Sequence, residues 1–342
     1  MLEQSVYEFI TKYQLIEDGD KIVLGISGGP DSICMLNILN EILKRGLIHF
    51  EIFVAHVNHG LRENAIYDEE FVKEFCENIK VPFFVKHVDV KKIAYSEKRG
   101  LEETGRNVRY NFFEEILEKT GSNKIAIAHN KNDKAETMIM NALRGSGLKG
   151  LIGIQAKNGK YIRPLLETKR EEIELYLESK NIKARHDESN DDNIYTRNKI
   201  RNIVVPYIQK EFNPKLIDTF GRLSDIINEE EEYLQKQTKI AYNDVCVQEI
   251  NLTNNYECNK LNNAEIIVDL KKFNKLEKII QKRVILFSIN KIFGTTKGIE
   301  KIHIDDIIKL CNNNIGNKYL SPNKNLKIVT QKKQLKIMAK NI

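Results

Sequence analysis

The sequence predicts an α/β protein in which a doubly wound parallel sheet is followed by a helical connector and a small mixed α+β domain. Three observations carry this expectation. Up to residue 144, short apolar runs alternate with amphipathic helical patterns; a glycine turn joins the first run to the helix after it; and near the C-terminus a basic helical stretch gives way to two strand-like runs. Repeated βα units imply parallel strands with helices on both faces. A chain of 342 residues has room for two or three domains. The expected bounds are 1–212 for the α/β domain, 213–263 for the connector and a loop, and 264–342 for the small basic domain.

The N-terminus opens on a helical pattern, SVYEFITKYQLI, and not on a signal sequence. Ile22, Val23, Leu24 and Ile26 read as a strand buried on both faces. The turn Ser27-Gly28-Gly29-Pro30-Asp31-Ser32 leads into a helix over 32–44 with Ile33, Leu36, Leu39 and Leu43 on one face. FEIFVAHV is the second strand, 66–79 a helix, PFFVKHVDV the third strand, 101–119 a helix, KIAIAH the fourth strand and 133–143 a helix. Beyond it come a glycine-rich loop (RGSGLKGLIG), a short edge segment (KYIRPLL) and an amphipathic helix (TKREEIELYLESKN). A long helix from Asn213 reads as the connector, and the Asn-rich stretch at 251–263 as a loop. A basic helix at 271–293, a short helix at 303–311 and the runs KNLKIVT and KQLKIMA make up the last domain.

Hydrophobic residues at 41% supply cores and charged residues at 30% a solvated surface, while a net charge of +6 is compatible with a polyanionic partner. The five cysteines, Cys34, Cys76, Cys246, Cys258 and Cys311, form no CxxC pair, which excludes a written zinc ribbon or dithiol site and fits a reducing cytoplasm. No apolar run approaches a membrane span.

Strand, glycine turn and helix N-terminus form a geometry for holding an anion. Backbone N–H groups point outward, the helix dipole favours negative charge, and missing Cβ atoms let phosphate approach. The turn is neither a Walker A loop nor GxGxxG. Ligands in such sheets bind beyond the carboxyl ends of the strands, where SGGPDS, HVNHGLR (His56 to Arg62) and His129-Asn130 converge. HVNHGLR is either a polar loop or part of that site; no third metal ligand stands at a suitable spacing, so zinc is not expected. Asp133, Glu136 and Thr137 share a helix face, either as a capping arrangement or as Mg²⁺ ligands and a base. Arg106 and Arg109, in GRNVRY, are surface cations or a grip on phosphate. Arg197, Lys199 and Arg201 beside Tyr195 suggest backbone-phosphate contacts, and the lysines from 271 onward a basic helix face.

SGGPDS after a buried strand resembles the PP-loop of the ATP-pyrophosphatase superfamily. Together with HVNHGLR, LEETGRNVRY, AHNKNDKAETMIMNALRGSGLKGL, IRPLL and DESN…YTRNKIRN, in that order, it resembles the tRNA(Ile)-lysidine synthase family over roughly the first two-thirds of the chain. The resemblance implies a Rossmann-like PP-loop ATPase fold and a cytoplasmic ligase without membrane contact. ATP and Mg²⁺ would be its cofactors and CAU-anticodon tRNA(Ile) and L-lysine its partners, with a homodimer left open. ATP would adenylate the C2 oxygen of the wobble cytidine, and lysine would displace AMP to give lysidine. It further implies that Ser27, Gly28, Gly29, Pro30, Asp31, Ser32 and His56 bind ATP and that Asp31 and Asp133 hold Mg²⁺. Asp31, Asp133, Glu136, Arg106 and Arg109 would be catalytic, Glu136 as partner of the lysine amine, and Arg197 and Arg201 would contact tRNA. Two departures stand out. The family's first Asp of an adjacent pair is Asn132 here, which leaves Asp133 alone, and many members continue with a further domain where this chain stops, so a short or truncated form is expected. Rival readings are a PP-loop tRNA thiolase, for which the cysteines are poorly placed, and a tRNA-binding protein whose nucleotide loop only switches conformation.

Overall fold

Along β1 (Lys21–Gly25) the period of two decides the layering of the first unit. Ile22 and Leu24 are fully buried with Ile33, Leu36 and Leu39 of α2 (Pro30–Lys44), while Val23 between them is buried with Phe112, Phe113 and Ile116 of α5 (Leu101–Thr120). One strand therefore feeds two cores, one on each face of the sheet, as a doubly wound fold requires. Burial of each such side chain is worth about 1.5–3 kcal/mol relative to exposure. The computed structural model describes residues 2–60, 65–185, 195–252, 264–313 and 318–340.

Two compact units divide the chain between Asn228 and Glu229. The first begins with α1 (Leu2–Lys12), which packs on the α2 face. After α2 come β2 (Glu51–Asn58), α3 (Ala65–Ile79), β3 (Phe83–His87), α4 (Val90–Glu97), α5 and β4 (Lys124–Ile127). The sheet order is β3-β2-β1-β4-β6-β5, where β5 is Lys157–Asn158 and β6 Tyr161–Ile162. Every pairing is parallel except the short β5–β6 hairpin. Between β4 and β5 lie α6 (Lys131–Leu143) and α7 (Leu148–Leu151), and after β6 comes α8 (Arg170–Ser179). Next are α9 (Thr196–Lys199), a π-helical turn (Ile200–Val204), α10 (Val205–Glu211) and α11 (Leu216–Val245), which runs past the division between the units.

Gly25 closes β1 against α5. A Cβ there would lie 2.4 Å from Cζ and 2.6 Å from Cε2 of Phe113. Gly25→Ala is therefore expected to destabilise the unit by about 1–3 kcal/mol through overpacking, seen as an earlier denaturant midpoint, and Phe113→Leu in the same chain should restore part of it. An unchanged midpoint would show that this approach does not constrain the strand.

The second unit is an antiparallel sheet of order β7-β8-β11-β10-β9, with β7 at Cys246–Ile250, β8 at Glu265–Asp269, β9 at Lys318–Leu320, β10 at Leu326–Gln331 and β11 at Gln334–Ala339. The apolar residues Ile266, Val268, Ile328, Leu335 and Ile337 meet α13 (Lys278–Phe293) and α14 (Lys301–Asn312) in one core. Three expectations are corrected here. The basic helix read over 271–293 is two helices, α12 (Leu270–Phe273) and α13. Asp269 caps α12 through the Lys272 N–H, and Gln281 donates to the Phe273 carbonyl, so the chain turns where a continuous helix was expected. PFFVKHVDV is strand only to His87, because Asp89 accepts from Lys92 N and starts α4. The segment read as connector and loop contains β7, which pairs with β8.

Candidate active site at the strand-order reversal

β1 and β2 step one way across the sheet, whereas β4 returns to the other side of β1, so the crevice at the carboxyl ends of β1 and β4 is the topological switch point. The turn after β1 is built for an anion. Gly28 has φ +91, a conformation L side chains rarely adopt. Gly29 caps α2 with extended backbone and no side-chain bond, and Pro30 takes the first helical position, where an N–H would have no partner within the helix. Ser32 pins the turn: its hydroxyl donates to Gly29 O at 2.9 Å and accepts the Ser27 N–H at 3.2 Å. Ser27 is exposed at the mouth.

Asp31, in the first turn of α2, accepts from Asn130 Nδ2 at 3.1 Å. Asn130 is fully buried and caps α6 from the opposite side of the crevice. Its Oδ1 accepts the Asp133 N–H at 2.9 Å, and Asp133 Oδ2 accepts the Asn130 N–H at 3.1 Å. The capping box is thus Asn130 with Asp133, and the helix expected to begin at 133 begins at Lys131. Asp133 and Glu136, 5% and 2% exposed, then project into a group of arginines. Arg197 and Arg201 reach Asp133 Oδ1 at 2.9 and 2.8 Å, and Arg201 grips Glu136 with two nitrogens at 2.8 and 3.0 Å. Arg197 Nε lies 3.4 Å from Glu136, and Arg170 lies 3.5 Å from it. The π-helical turn begins one residue before Arg201, so an irregular helix delivers these cations to α6. Asn132 accepts the Arg170 N–H at 3.1 Å and ties the start of α8 to α6.

The two aspartates have been driven apart. Burial, then the charge of Asp133, pushes Asp31 up to about 6. Burial acts to raise Asp133 as well, but Arg197 and Arg201 outweigh it and hold the carboxyl below its usual range. Divergent carboxylates of this kind mark acid–base or ligand chemistry. His129, at the end of β4, is lowered to about 4 by burial and stays neutral. His56 lies 4% exposed on β2; its Nδ1–H donates to Ile26 O at 2.8 Å, and burial lowers its pKa. It sits at the base of the turn. Arg106 and Arg109 are exposed on α5, with Arg106 5.1 Å above the Tyr110 ring.

The structure brings Asp31, Asp133, Glu136, Arg197 and Arg201 together. Asn130 was expected at this edge together with His129, but its bond to Asp31 was not, and Arg163 and Arg170 were not singled out from the sequence. Arg62 and the DESN segment lie outside the described residues. Cys34 is buried in α2, and burial with the Asp31 charge pushes its thiol far above the usual range, unlike a nucleophile. In the second unit, Lys278, Lys282, Lys301 and Lys309 line a groove of about 670 Å³, with Asp305 bound to Lys282 at 2.6 Å. Among the described residues, no helix is long and apolar enough to cross a membrane.

A model of the PP-loop domain matches residues 1–208. The chain is 42% identical over 310 residues to the tRNA(Ile)-lysidine synthase of Caldanaerobacter subterraneus subsp. tengcongensis, covering 90% of this chain and 63% of that protein. It is 39% identical over 334 residues to the Clostridioides difficile tRNA(Ile)-lysidine synthase, covering 97% and 69%. Of solved structures, a U34-tRNA thiolase from Methanococcus maripaludis shares the fold, with TM-score 0.52 and 20% identity over 65% of this chain and 79% of that one. A PP-loop match over 1–208 and close similarity that continues through the second unit lead to one assignment: the chain belongs to the tRNA(Ile)-lysidine synthase family of PP-loop proteins.

Proposed function

We propose that this chain uses ATP to adenylate the C2 oxygen of the wobble cytidine in CAU-anticodon tRNA(Ile), then joins L-lysine to give lysidine, AMP and pyrophosphate. The observation that carries it is a phosphate cradle side by side with a carboxylate pair already compensated by arginines. The first suits a nucleotide and the second an amine. The names of the relatives supply the acceptor RNA and the amino acid. The chain spans 63% of the length of the first of them, so the assignment is made here for its own residues.

The turn from Ser27 to Ser32 holds the ATP phosphates with backbone N–H groups. Asp133 has Oδ1 shared by two guanidiniums and Oδ2 taken by the Asn130 N–H, whereas among the described residues Asp31 is hydrogen-bonded only by the Asn130 amide. A Mg²⁺ held by one carboxylate and the substrate phosphates therefore fits Asp31, and a metal shared with Asp133 does not fit this arrangement. When bound, the ion would neutralise charge on the phosphates. Arg106 and Arg109 face the adenylated base or its phosphate. Lysine must attack as the neutral amine, although its free pKa is about 10.4. Glu136 receives that amine, and the guanidiniums of Arg170, Arg197 and Arg201 around it disfavour a further cation and so favour the neutral form. Arg197 and Arg201 thus act on the site's carboxylates, and the lysine groove of the second unit offers contacts for RNA phosphates in their place.

Asn130→Ser separates capping from positioning. Serine keeps an oxygen for the Asp133 N–H but donates nothing to Asp31. Stability should change by less than about 1 kcal/mol, while ATP–pyrophosphate exchange falls about 10–100-fold in kcat with KM for ATP little changed. Full exchange in this variant would show that the link to Asp31 is idle. The reading as a whole is tested by incubating the chain with ATP, radiolabelled lysine and CAU-anticodon tRNA. Lysine-dependent label in the RNA supports it, and exchange without lysine incorporation overturns it.

A further inference from the structure

Arg163 stands just past the carboxyl end of β6, and only 9% of it is exposed. A buried guanidinium is expensive unless paired, and natural proteins nearly always give it a carboxylate. Among the described residues Arg163 has none. Its Nη1 donates to Gln155 O at 2.7 Å, its Nε donates to His129 Nδ1 at 3.2 Å, and Tyr110 is a further neighbour. Glu114 on α5 is engaged elsewhere, by Lys160 and Tyr161. The charge of another cation, Arg106, bears on Arg163; it lies over Tyr110 with its Nη2 3.4 Å from the hydroxyl. Burial lowers Arg163 from its ordinary value, an effect that Tyr110 opposes and the charge of Arg106 reinforces.

His129 is fixed by the same contact. The Nε–H of Arg163 can only donate, so His129 Nδ1 must accept, and the neutral ring carries its proton on Nε2. The remaining polar atom of the ring is therefore a donor. Two guanidiniums, one imidazole N–H and one phenol gather at this strand end, and no carboxylate among them balances the charge.

We propose that Arg163, with Arg106 and the Nε2–H of His129, forms a phosphate-binding subsite separate from the glycine turn. β6 is two strands from β1, and at about 4.8 Å per strand the subsite lies roughly 10 Å from the turn. That separation is too great for one phosphate to touch both. It suits a second phosphate belonging either to the acceptor RNA backbone or to the nucleotide being transferred. The proposal rests on the ATP- and RNA-dependent reading above and adds to it the counter-ion for a charge that the described residues leave unbalanced.

The test uses the whole chain with Arg163→Gln, which keeps a donor for Gln155 O, and Arg163→Lys, which keeps the charge. Thermal unfolding confirms the fold of each, and Arg106→Gln, on an exposed helix face, serves if neither is folded. A CAU-anticodon stem-loop is titrated across a salt series, and AMP is titrated separately, both without lysine. If the phosphate is RNA-borne, Arg163→Gln weakens stem-loop binding about tenfold and lowers the salt slope by about one, with AMP unaffected. If it is nucleotide-borne, AMP binding weakens about tenfold and the slope stays. In either case Arg163→Lys recovers part of the loss. Folded variants that bind both probes as the parent does overturn the subsite alone. A parent chain that binds neither probe overturns it together with the functional reading beneath it.

Discussion

Asp31→Asn is expected to abolish ATP–pyrophosphate exchange and, in the nucleotide-free chain, to raise the unfolding temperature. Both follow from one observation. Asp31 titrates at about 6 in the folded chain because burial and Asp133 oppose its charge, against an ordinary value of 3.8. A carboxyl raised on folding contributes stability that is fully present below its unfolded pKa and lost as pH rises through the folded one. At pH 7 the ionised group therefore costs the fold about 1–3 kcal/mol, allowing for solvent in a half-open crevice, and asparagine removes that cost. The gain in unfolding temperature should be clear at pH 7 and shrink toward pH 4. Exchange should fall at least about 10²–10³-fold, because an amide can neither neutralise nor ligate what the carboxylate holds. Stem-loop RNA binding should stay near the parent value. In the parent, kcat/KM for ATP should decline as pH drops through about 6. An Asp31→Asn chain that melts earlier at pH 7 would make Asp31 a structural residue instead.

Arg201→Met is expected to destabilise the first unit by about 3 kcal/mol, with Arg197 and Arg170 absorbing part of the loss. Arg197 and Arg201 both bond the two buried carboxylates, but Arg201 holds each at 2.8 Å and Glu136 with two nitrogens, so removing it strands Glu136 at 2% exposure. Glu136 and Asp133 in turn raise Arg201 above its ordinary value, although burial alone would lower it. The double variant Arg201→Met with Glu136→Gln should be more stable than the two single losses predict, with a coupling of about 1–3 kcal/mol in denaturant unfolding. Additive losses would mean that the two side chains do not depend on each other.

The sheet was legible because its signal is local. Ile22 to Ile26 carry an unbroken apolar run, and the residues that alternate to the two faces, Ile22 and Leu24 against Val23, are adjacent in sequence. The turn was legible for the same reason, since Gly28, Gly29 and Pro30 follow one another. The arginine–carboxylate group was not. Arg197 and Arg201 find Glu136 and Asp133 at separations of 61 to 68 residues, and in YTRNKIR they have the pattern of exposed phosphate contacts. Nothing within one turn of Glu136 announces that three guanidiniums surround it. Arg163 was hidden by the opposite fact: its meaning lies in the lack of a carboxylate partner among the described residues, and a missing partner leaves no mark on a sequence. In the second unit, Ile266, Ile267 and Val268 make β8 a plain buried strand, but the run is short and lay unassigned between the expected loop at 251–263 and the expected helix from 271.

The central claim is that one chain moves AMP onto a wobble cytidine and then exchanges it for lysine. Its most direct measurement is mass spectrometry of nuclease-digested CAU-anticodon tRNA after reaction with ATP and lysine. The account predicts that the anticodon cytidine, and no other nucleotide, gains the mass of one lysine less one water, and gains it only when both ATP and lysine are present. An anticodon cytidine of unchanged mass, from a chain that exchanges pyrophosphate into ATP, would contradict it.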